Sequence, residues 1–273
     1  MSSPAPPTFL VTKEYRRFAE FCDACRRYRY IGVCTGPPGV GKTLSARHYS
    51  DWDRLEGIFA GQSQVINAPP VPADVAGYHS LVYTPAVTTT VKQVARELRR
   101  LRWALRAAVE RAGHPELDWP VTIREAPDPT ELVLVDEADR LKLLALEQLR
   151  DQYDQDGFGL VLIGMPGLEK RLARYPQLYS RVGFVHVYQP LSTEELRFIL
   201  GHKWAELGLT FAPDDYTDAE ALAAIARITG GNFRLVQRLF SQIERVLEIN
   251  QLRTISKEVV EAARESLVIG RAS

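Results

Sequence analysis

The stretch Gly36–Thr43 reads GPPGVGKT and fits the pattern G-x-x-x-x-G-K-[ST] at every position. Glycines in this pattern let successive backbone N–H groups point inward at phosphate oxygens, and the positive end of the next helix adds to the attraction. We expect Lys42 to reach the β- and γ-phosphates of ATP and the Thr43 hydroxyl to bind Mg²⁺. The full set predicted to bind the nucleotide is Gly36, Pro37, Pro38, Gly39, Val40, Gly41, Lys42 and Thr43.

Two adjacent acids, Asp136 and Glu137, end a second motif that reads LVLVDE. Its uninterrupted apolar run is typical of a strand buried on both faces of a parallel sheet. Two acids after a strand often form only a solvated turn. With a phosphate loop upstream, the pattern instead predicts that Asp136 holds Mg²⁺ through water and that Glu137 polarises the attacking water as general base.

The elements that must position these residues follow from hydrophobic periodicity. A helix is predicted from Thr12 to about Tyr28, and TLSARHYSDWD is predicted as one helix after the loop. Residues 57–77 are predicted to be a long loop with one short strand at most. The segment from Val91 is predicted as a strong helix that Gly113 stops. Strands are predicted at YIGVC, HSLVYT, ELVLV, LVLIG and GFVHVYQ.

No strand candidate follows Pro190, and four helical segments do; the first opens with a capping box of Ser192 and Glu195. The sequence therefore predicts an N-terminal tail and helix at residues 1–29, an α/β core at 30–190 and an all-helical region at 191–273. The expected fold class is α/β, with a parallel five-stranded sheet flanked by helices.

The composition adds little about partners, because 34 Lys and Arg residues balance 34 Asp and Glu residues in a chain of 273. No apolar run is long enough to cross a bilayer, and the start MSSPAPPTF lacks a secretory signal, so we expect no membrane partner and a cytoplasmic location. Cys22 and Cys25 form a C-x-x-C within a helical pattern, and no second pair completes a metal site. We therefore expect both cysteines to lie in the core.

The order of these motifs resembles the AAA+ ATPases. In that family an arginine from the neighbouring subunit completes the site, and another on a helical lid senses the γ-phosphate. The resemblance implies that Arg234, in GGNFRLVQRL, is the lid sensor and that Arg181, in YSRVGF, is the finger supplied in trans. Arg171 and Arg174 are alternatives for the finger.

The chain departs from the AAA+ pattern at the end of LVLIG, where the family usually carries a polar residue. Gly164 and Met165 occupy these positions, and neither side chain can orient water as Asn or Thr does. We therefore expect an ATP hydrolase that is slow or tuned by a partner.

Over nearly its whole length the chain resembles the transposition ATPases of the MuB, TniB and TnsC type, which act in the DNA recombination of mobile elements. The resemblance rests on LVLVDEADRL, on LVLIGMPGLEKRLARYPQLYSRVGF, on PLSTEELRFIL and on the compact lid. It implies an ATP-dependent homo-oligomer, either a hexamer-like ring or a helical filament, that assembles on double-stranded DNA. The remaining implied partners are a transposase, which the oligomer recruits or activates, and a target-selection adaptor.

Basic residues between Lys92 and Arg111 give independent support for DNA binding. Lys92, Arg96, Arg99 and Arg106 are predicted to line the helix face opposite the apolar stripe, and this part of the chain is strongly basic. In the family the preceding loop also faces DNA, and Thr88, Thr89 and Thr90 could donate to phosphates. The predicted DNA-binding residues are Thr88, Thr89, Thr90, Lys92, Arg96 and Arg99.

Two other functions remain open, because the secretion ATPases of the ExeA type and the replication initiators or helicase loaders share these motifs. The former normally carry a transmembrane or wall-binding extension, and the latter usually append a winged-helix or helix-turn-helix domain. Neither is predicted after the short tail LVIGRAS, which favours an accessory ATPase acting through its core.

Overall fold

The computed structural model describes residues 9–62, 70–115 and 126–267. The chain divides into two compact units. The sheet unit contains residues 15–36 and 42–188, and the helical unit contains residues 1–14, 37–41 and 189–273. Residues 1–8 of the predicted N-terminal tail, and residues 63–69 and 116–125 of the two long connections, lie outside the described residues.

The sheet unit contains five strands in the order β2-β3-β4-β1-β5, and every neighbouring pair is parallel. This confirms the predicted fold class. The strands β1, β2, β3 and β4 are buried along their whole length, which is why their sequences are almost continuously apolar. The strands are β1 (Ile31–Thr35), β2 (Ser80–Tyr83), β3 (Leu132–Val135), β4 (Gly159–Gly164) and β5 (Val182–Val187).

Strand register brings the predicted chemistry to one edge of the sheet. Thr35 pairs with Gly164, and Val135 pairs with Leu162, so β1, β3 and β4 end side by side. Loops after the carboxyl ends of parallel strands are the usual ligand sites of such sheets. The phosphate loop follows β1 and the acid pair follows β3.

The helices of the sheet unit differ from the sequence predictions at two places between β1 and β2. The predicted single helix after the phosphate loop is two helices, separated where Asp51 has a left-handed φ of 46°. The predicted loop at 57–77 is partly helical, because α3 continues to Gln62 and Ala73–Gly77 forms a 3₁₀ turn. The helices of this part are α1 (Lys13–Tyr28), α2 (Lys42–Tyr49), α3 (Trp52–Gln62), α4 (Val91–Gly113), α5 (Leu143–Asp156), α6 (Leu168–Leu172) and α7 (Pro176–Tyr179).

The helical unit contains α8 (Thr193–Glu206), α9 (Tyr216–Thr229), α10 (Phe233–Asn250) and α11 (Lys257–Glu265). The predicted capping box is present, because the Ser192 hydroxyl accepts from Glu195 N and the Glu195 carboxylate accepts from Ser192 N. Trp204 is buried in the core of this unit and packs on Phe211 and Phe240, with ring centroids 5.0 and 5.5 Å away.

The cysteines are core residues, as predicted. Cys22, Cys25 and Cys34 are buried and are not disulfide-bonded. The described residues contain no group of three or more His, Cys, Asp or Glu side chains that could hold a metal. Helix α1 lies so close to β1 that a Cβ at Gly32 would be 2.4 Å from Cys25 Sγ. Among the described helices, none combines the length and apolar character needed to span a membrane.

We predict that the native protein resists thiol reagents. Burial raises the pKa of Cys22 well above its ordinary value and that of Cys25 to about 12, so little of the reactive thiolate forms near neutral pH. Titration with a thiol-specific chromophore at pH 8 should report almost no reaction before denaturation and reaction of all three cysteines after it. Fast reaction of Cys22 or Cys25 in the folded protein would contradict their placement in the core.

Candidate nucleotide site

The phosphate loop has the backbone that its glycines predict. Gly39 and Gly41 have φ values of 80° and 114°, a region that side chains other than hydrogen rarely tolerate. Helix α2 begins at Lys42, directly after the loop. A Cβ at Gly36 would lie 2.6 Å from the Tyr188 carbonyl oxygen, so glycine is also required where the loop leaves β1.

Lys42 is anchored at the base of the loop, where its Nζ donates to the Gly36 carbonyl at 2.7 Å. Burial lowers the pKa of Lys42, and the Coulombic effects of Cys34, Asp136, Glu137 and Asp139 oppose this shift. The ammonium is therefore partly desolvated beside acidic groups. A phosphate anion would stabilise its charged form, which suits the predicted contact with the β- and γ-phosphates.

Thr43 and Asp136 meet across the sheet edge. Thr43 Oγ1 donates to Asp136 Oδ2 at 2.7 Å, and the backbone N–H of Glu137 donates to Asp136 Oδ1 at 3.0 Å. Asp136 is buried, with a relative exposure of 4%. A hydroxyl and a carboxylate at this separation are the oxygen donors that Mg²⁺ binds beside nucleotide phosphates, so these residues fit a magnesium ion.

Glu137 has a left-handed backbone, with φ 54° and ψ 39°. Its carboxylate is half-buried and lies 3.8 Å from Arg140 Nε. A residue in this conformation carries strain of about 1–3 kcal/mol, and such strain concentrates at functional sites. The side chain is accessible to water, as the role of general base requires.

Residues of the helical unit contact the centre of the phosphate loop, Pro37–Gly41, which belongs to the same unit. The Gly39 carbonyl accepts from Arg234 N at 2.9 Å, and the Pro38 carbonyl accepts from Asn232 Nδ2 at 2.8 Å. The Arg234 guanidinium is exposed and has no hydrogen-bond or ion-pair partner among the described residues. The predicted sensor therefore lies on the loop with its charge available.

Asn232 is a site residue that the sequence analysis did not identify. It caps α10 through its side-chain oxygen, which accepts from Leu235 N, while its amide nitrogen holds the phosphate loop. An asparagine before a helical run signals a cap, but nothing local in the sequence indicates the second bond, which spans 194 positions of the chain.

The three finger candidates have different surroundings. Arg171 donates to the backbone carbonyls of Asp139 and Leu141, so it has a structural role. Arg181 Nε forms an ion pair with Asp154 at 2.6 Å. Arg174 is exposed, and its side chain forms no hydrogen bond or ion pair with the residues that the structure describes. The finger role of Arg181 stays a prediction. Of the three candidates, Arg174 is the one whose guanidinium would not have to break an existing bond to contact a neighbouring subunit.

Fewer basic side chains line the exposed face of α4 than the sequence predicts. Lys92, Arg96 and Arg99 are exposed as predicted, and Arg100 lies beside them. Arg106 does not line this face, because it and Arg102 turn to Asp128, with N–O distances of 3.8 and 2.6 Å. Thr90 caps the helix by accepting from Gln93 N, whereas Thr88 is exposed and Thr89 is half-buried.

A family model described as "AAA domain" matches residues 25–172. A Staphylococcus aureus protein described as "Potential ATP-binding protein" is 46% identical over 268 residues, covering 96% of this chain and 97% of its own. The Haemophilus influenzae protein "Mu-like prophage FluMu DNA transposition protein B" is 32% identical over 119 residues. That second match covers 40% of this chain and 38% of the relative.

Solved structures share the fold at low identity. The Thermotoga maritima RuvB Holliday junction branch migration motor has a TM-score of 0.58 and 18% identity, covering 95% of this chain and 70% of its own. The Aeropyrum pernix ORC2 protein has a TM-score of 0.55 and 15% identity, covering 98% of this chain and 72% of its own.

We predict that Gly39→Ala weakens ATP binding. The new Cβ would lie 2.6 Å from Asn232 Oδ1 and 3.0 Å from Arg234 Cβ, at a φ that alanine disfavours. Strain of about 1–3 kcal/mol corresponds to a loss of roughly 5- to 150-fold in affinity if the bound loop must keep this conformation. A fluorescent ATP analogue measures this change. Gly57→Ala, in open space on α3, is the matched control, and equal affinities of the two variants would contradict the prediction.

Proposed function

We propose that this chain, which belongs to the AAA domain family and is an AAA+ ATPase, uses ATP to assemble on duplex DNA and to engage a transposase there. The observation that carries the DNA part is the exposed basic row of α4, defined here as Lys92, Arg96, Arg99 and Arg100. The match to a transposition protein over part of the chain supports the choice of partner.

The nucleotide part of the proposal assigns each loop residue a task. Lys42 and the backbone N–H groups of the loop would bind the phosphates, and Thr43 and Asp136 would hold Mg²⁺. When bound, Mg²⁺ would supply positive charge beside the β- and γ-phosphates. Glu137 accepts a proton from the attacking water. Arg234 senses the γ-phosphate, because its backbone is bonded to the loop while its guanidinium remains available.

Charge distribution supports a DNA contact on α4. Lys92 has no ion-pair partner among the described residues, and Arg99 donates only to the Ala95 carbonyl, at 3.2 Å. Arg96 and Arg100 share a single acid, Glu97, at 3.4 and 3.0 Å. The row therefore keeps an excess of positive charge in a chain whose formal net charge is zero. Such a surface suits phosphate contacts that depend weakly on base sequence.

An oligomer would multiply these weak contacts. ATP held between two subunits would fix their relative rotation and align one basic row per subunit along the phosphate backbone. Repeated contacts then raise the overall affinity, and linkage requires DNA to favour the ATP-bound assembly. We retain the predicted domains, residues 1–29, 30–190 and 191–273, as part of this proposal, with the last acting as lid.

We predict that the triple variant Lys92→Glu, Arg96→Glu, Arg99→Glu loses ATP-dependent DNA binding and keeps its affinity for ATP. The control carries the same charge change on α10 and beyond, as Arg238→Glu, Arg245→Glu, Arg253→Glu, all exposed positions of the helical unit. Fluorescence anisotropy with labelled duplex DNA and electron microscopy of the assemblies provide the readouts.

The wild-type protein should lose DNA affinity with salt at a log–log slope of about −0.9 for each phosphate neutralised. If the α4 variant forms filaments on DNA as well as the wild type does, and the α10 control does not, the DNA contact lies in the helical unit. If the wild type with ATP does not bind DNA, the proposal is wrong, and an ATPase of the secretion or initiator-loader type is favoured instead.

We also predict that a finger is supplied in trans. Arg174→Ala should lose ATPase activity and keep ATP affinity, and mixing it with Lys42→Ala protein should partly restore turnover because each variant supplies what the other lacks. Arg181→Ala is the parallel variant, since its exposed pair with Asp154 is worth only about 0–1 kcal/mol and could open. Full activity of both arginine variants would exclude a finger at either position.

A further inference from the structure

The turn after β3 contains a third acid, Asp139, which the assigned roles do not use. Its Oδ1 accepts a hydrogen bond from the backbone N–H of Met165 at 3.1 Å. Met165 is the first residue after β4, and Asp139 belongs to the 3₁₀ turn Ala138–Arg140 that follows Glu137. This bond therefore ties the turn carrying the general base to the end of the neighbouring strand.

Gly164 leaves the space that the Asp139 carboxylate occupies. A Cβ at Gly164 would lie 2.6 Å from Asp139 Oδ1 and 2.9 Å from Leu168 Cδ2, closer than real Cβ atoms approach such neighbours. The end of β4 thus lacks a polar side chain of its own, and a carboxylate from the adjacent turn fills the same volume. The absence of a side chain at Gly164 therefore allows the Asp139 carboxylate to occupy this position.

Three further hydrogen bonds hold the same turn. Arg171 donates through Nη1 to the Asp139 carbonyl at 2.8 Å and through Nη2 to the Leu141 carbonyl. Arg140 Nη1 donates to the Pro85 carbonyl, after β2, at 3.1 Å. The turn is consequently fixed to the ends of both strands that flank β3.

Such anchoring matters because Glu137, directly before the turn, has a left-handed backbone. A non-glycine residue keeps this conformation only where its surroundings impose it. Among the anchors, the Asp139 carboxylate is the one that bonds to the end of β4, through Met165 N.

We propose that Asp139 is a positioning residue for ATP hydrolysis, which fixes the backbone of Glu137 through its hydrogen bond to Met165 N and depends on Gly164 for room. The inference rests on the proposed nucleotide function. It requires the hydrogen-bond acceptor of Asp139 and does not require its charge.

Four variants separate this role from others. Asp139→Asn keeps an acceptor oxygen for Met165 N without the charge, and Asp139→Ala removes the acceptor. Gly164→Ala retains the Asp139 residue, but the new methyl group displaces its carboxylate from Met165 N. Gly57→Ala, at a position where a Cβ meets nothing within 4 Å, is the control for replacing a glycine.

Hydrogen–deuterium exchange of the nucleotide-free protein tests the tie without any activity. Peptides that cover Glu137–Leu141 and Met165 should exchange faster in Asp139→Ala and Gly164→Ala, and at the wild-type rate in Asp139→Asn and Gly57→Ala. Unchanged exchange in Asp139→Ala would overturn the proposal. Melting temperatures identify any variant that fails to fold, and Asp139→Asn with Gly164→Ala then carries the comparison.

Steady-state kinetics with Mg²⁺ and ATP test the consequence. Misplacement of a catalytic group by about 1 Å can cost 100-fold in rate, so we expect kcat of Asp139→Ala and Gly164→Ala to fall by up to about 100-fold with KM little changed. Asp139→Asn should retain most of the wild-type kcat, and the double variant Asp139→Ala, Gly164→Ala should be no slower than either single one.

The kinetic outcomes are distinct. Equal loss in Asp139→Asn and Asp139→Ala would overturn the positioning role, because the charge rather than the acceptor would then matter. Wild-type kcat in Asp139→Ala would overturn it as well. No ATP turnover by the wild type, with Lys42→Ala as the baseline, would instead overturn the proposed function, and the exchange pattern would still report on the tie.

Discussion

The whole site depends on one constraint, which is that the carboxyl ends of parallel strands lie at the same edge of the sheet. The hydrogen bond between Thr43 and Asp136 forms because of it. These two residues are 93 positions apart, and two different strands deliver them to within 2.7 Å. The strands that do so lie on either side of β4 and are buried along their whole length. Apolar burial therefore fixes the register, and the register places the polar chemistry.

Glycines act where backbone or side chains of other segments must approach closely. Gly36 lies against Tyr188, Gly39 against Asn232 and Arg234, and Gly164 against Asp139. In each case a Cβ would overlap a polar atom of another segment. The sequence pattern explains only Gly36 and Gly39, which belong to the phosphate loop. Gly164 has a backbone conformation that other residues can adopt, and a glycine is needed there only because a side chain would overlap Asp139.

Some arginine side chains bond to other parts of the protein and stabilise the fold, whereas others are exposed and can contact a ligand. Arg102 and Arg171 satisfy acids or carbonyls within the sheet unit, where a removed partner would leave a polar group poorly solvated. The guanidinium groups of Arg174 and Arg234 are exposed and have no partners among the described residues. Because an exposed guanidinium costs little to redirect, the second group can respond to a nucleotide or to another subunit.

The sequence by itself determined the sheet, its buried strands, the phosphate loop and the acid pair, because apolar periodicity and a contiguous motif are local signals. Tertiary structure decided what depends on residues far apart. It paired Arg102 and Arg106 with Asp128, which removes them from the exposed face of α4, and it joined Asn232 to Pro38 and Asp139 to Met165. A side chain's type fixes which bonds it can make, whereas only packing determines which partner lies within reach.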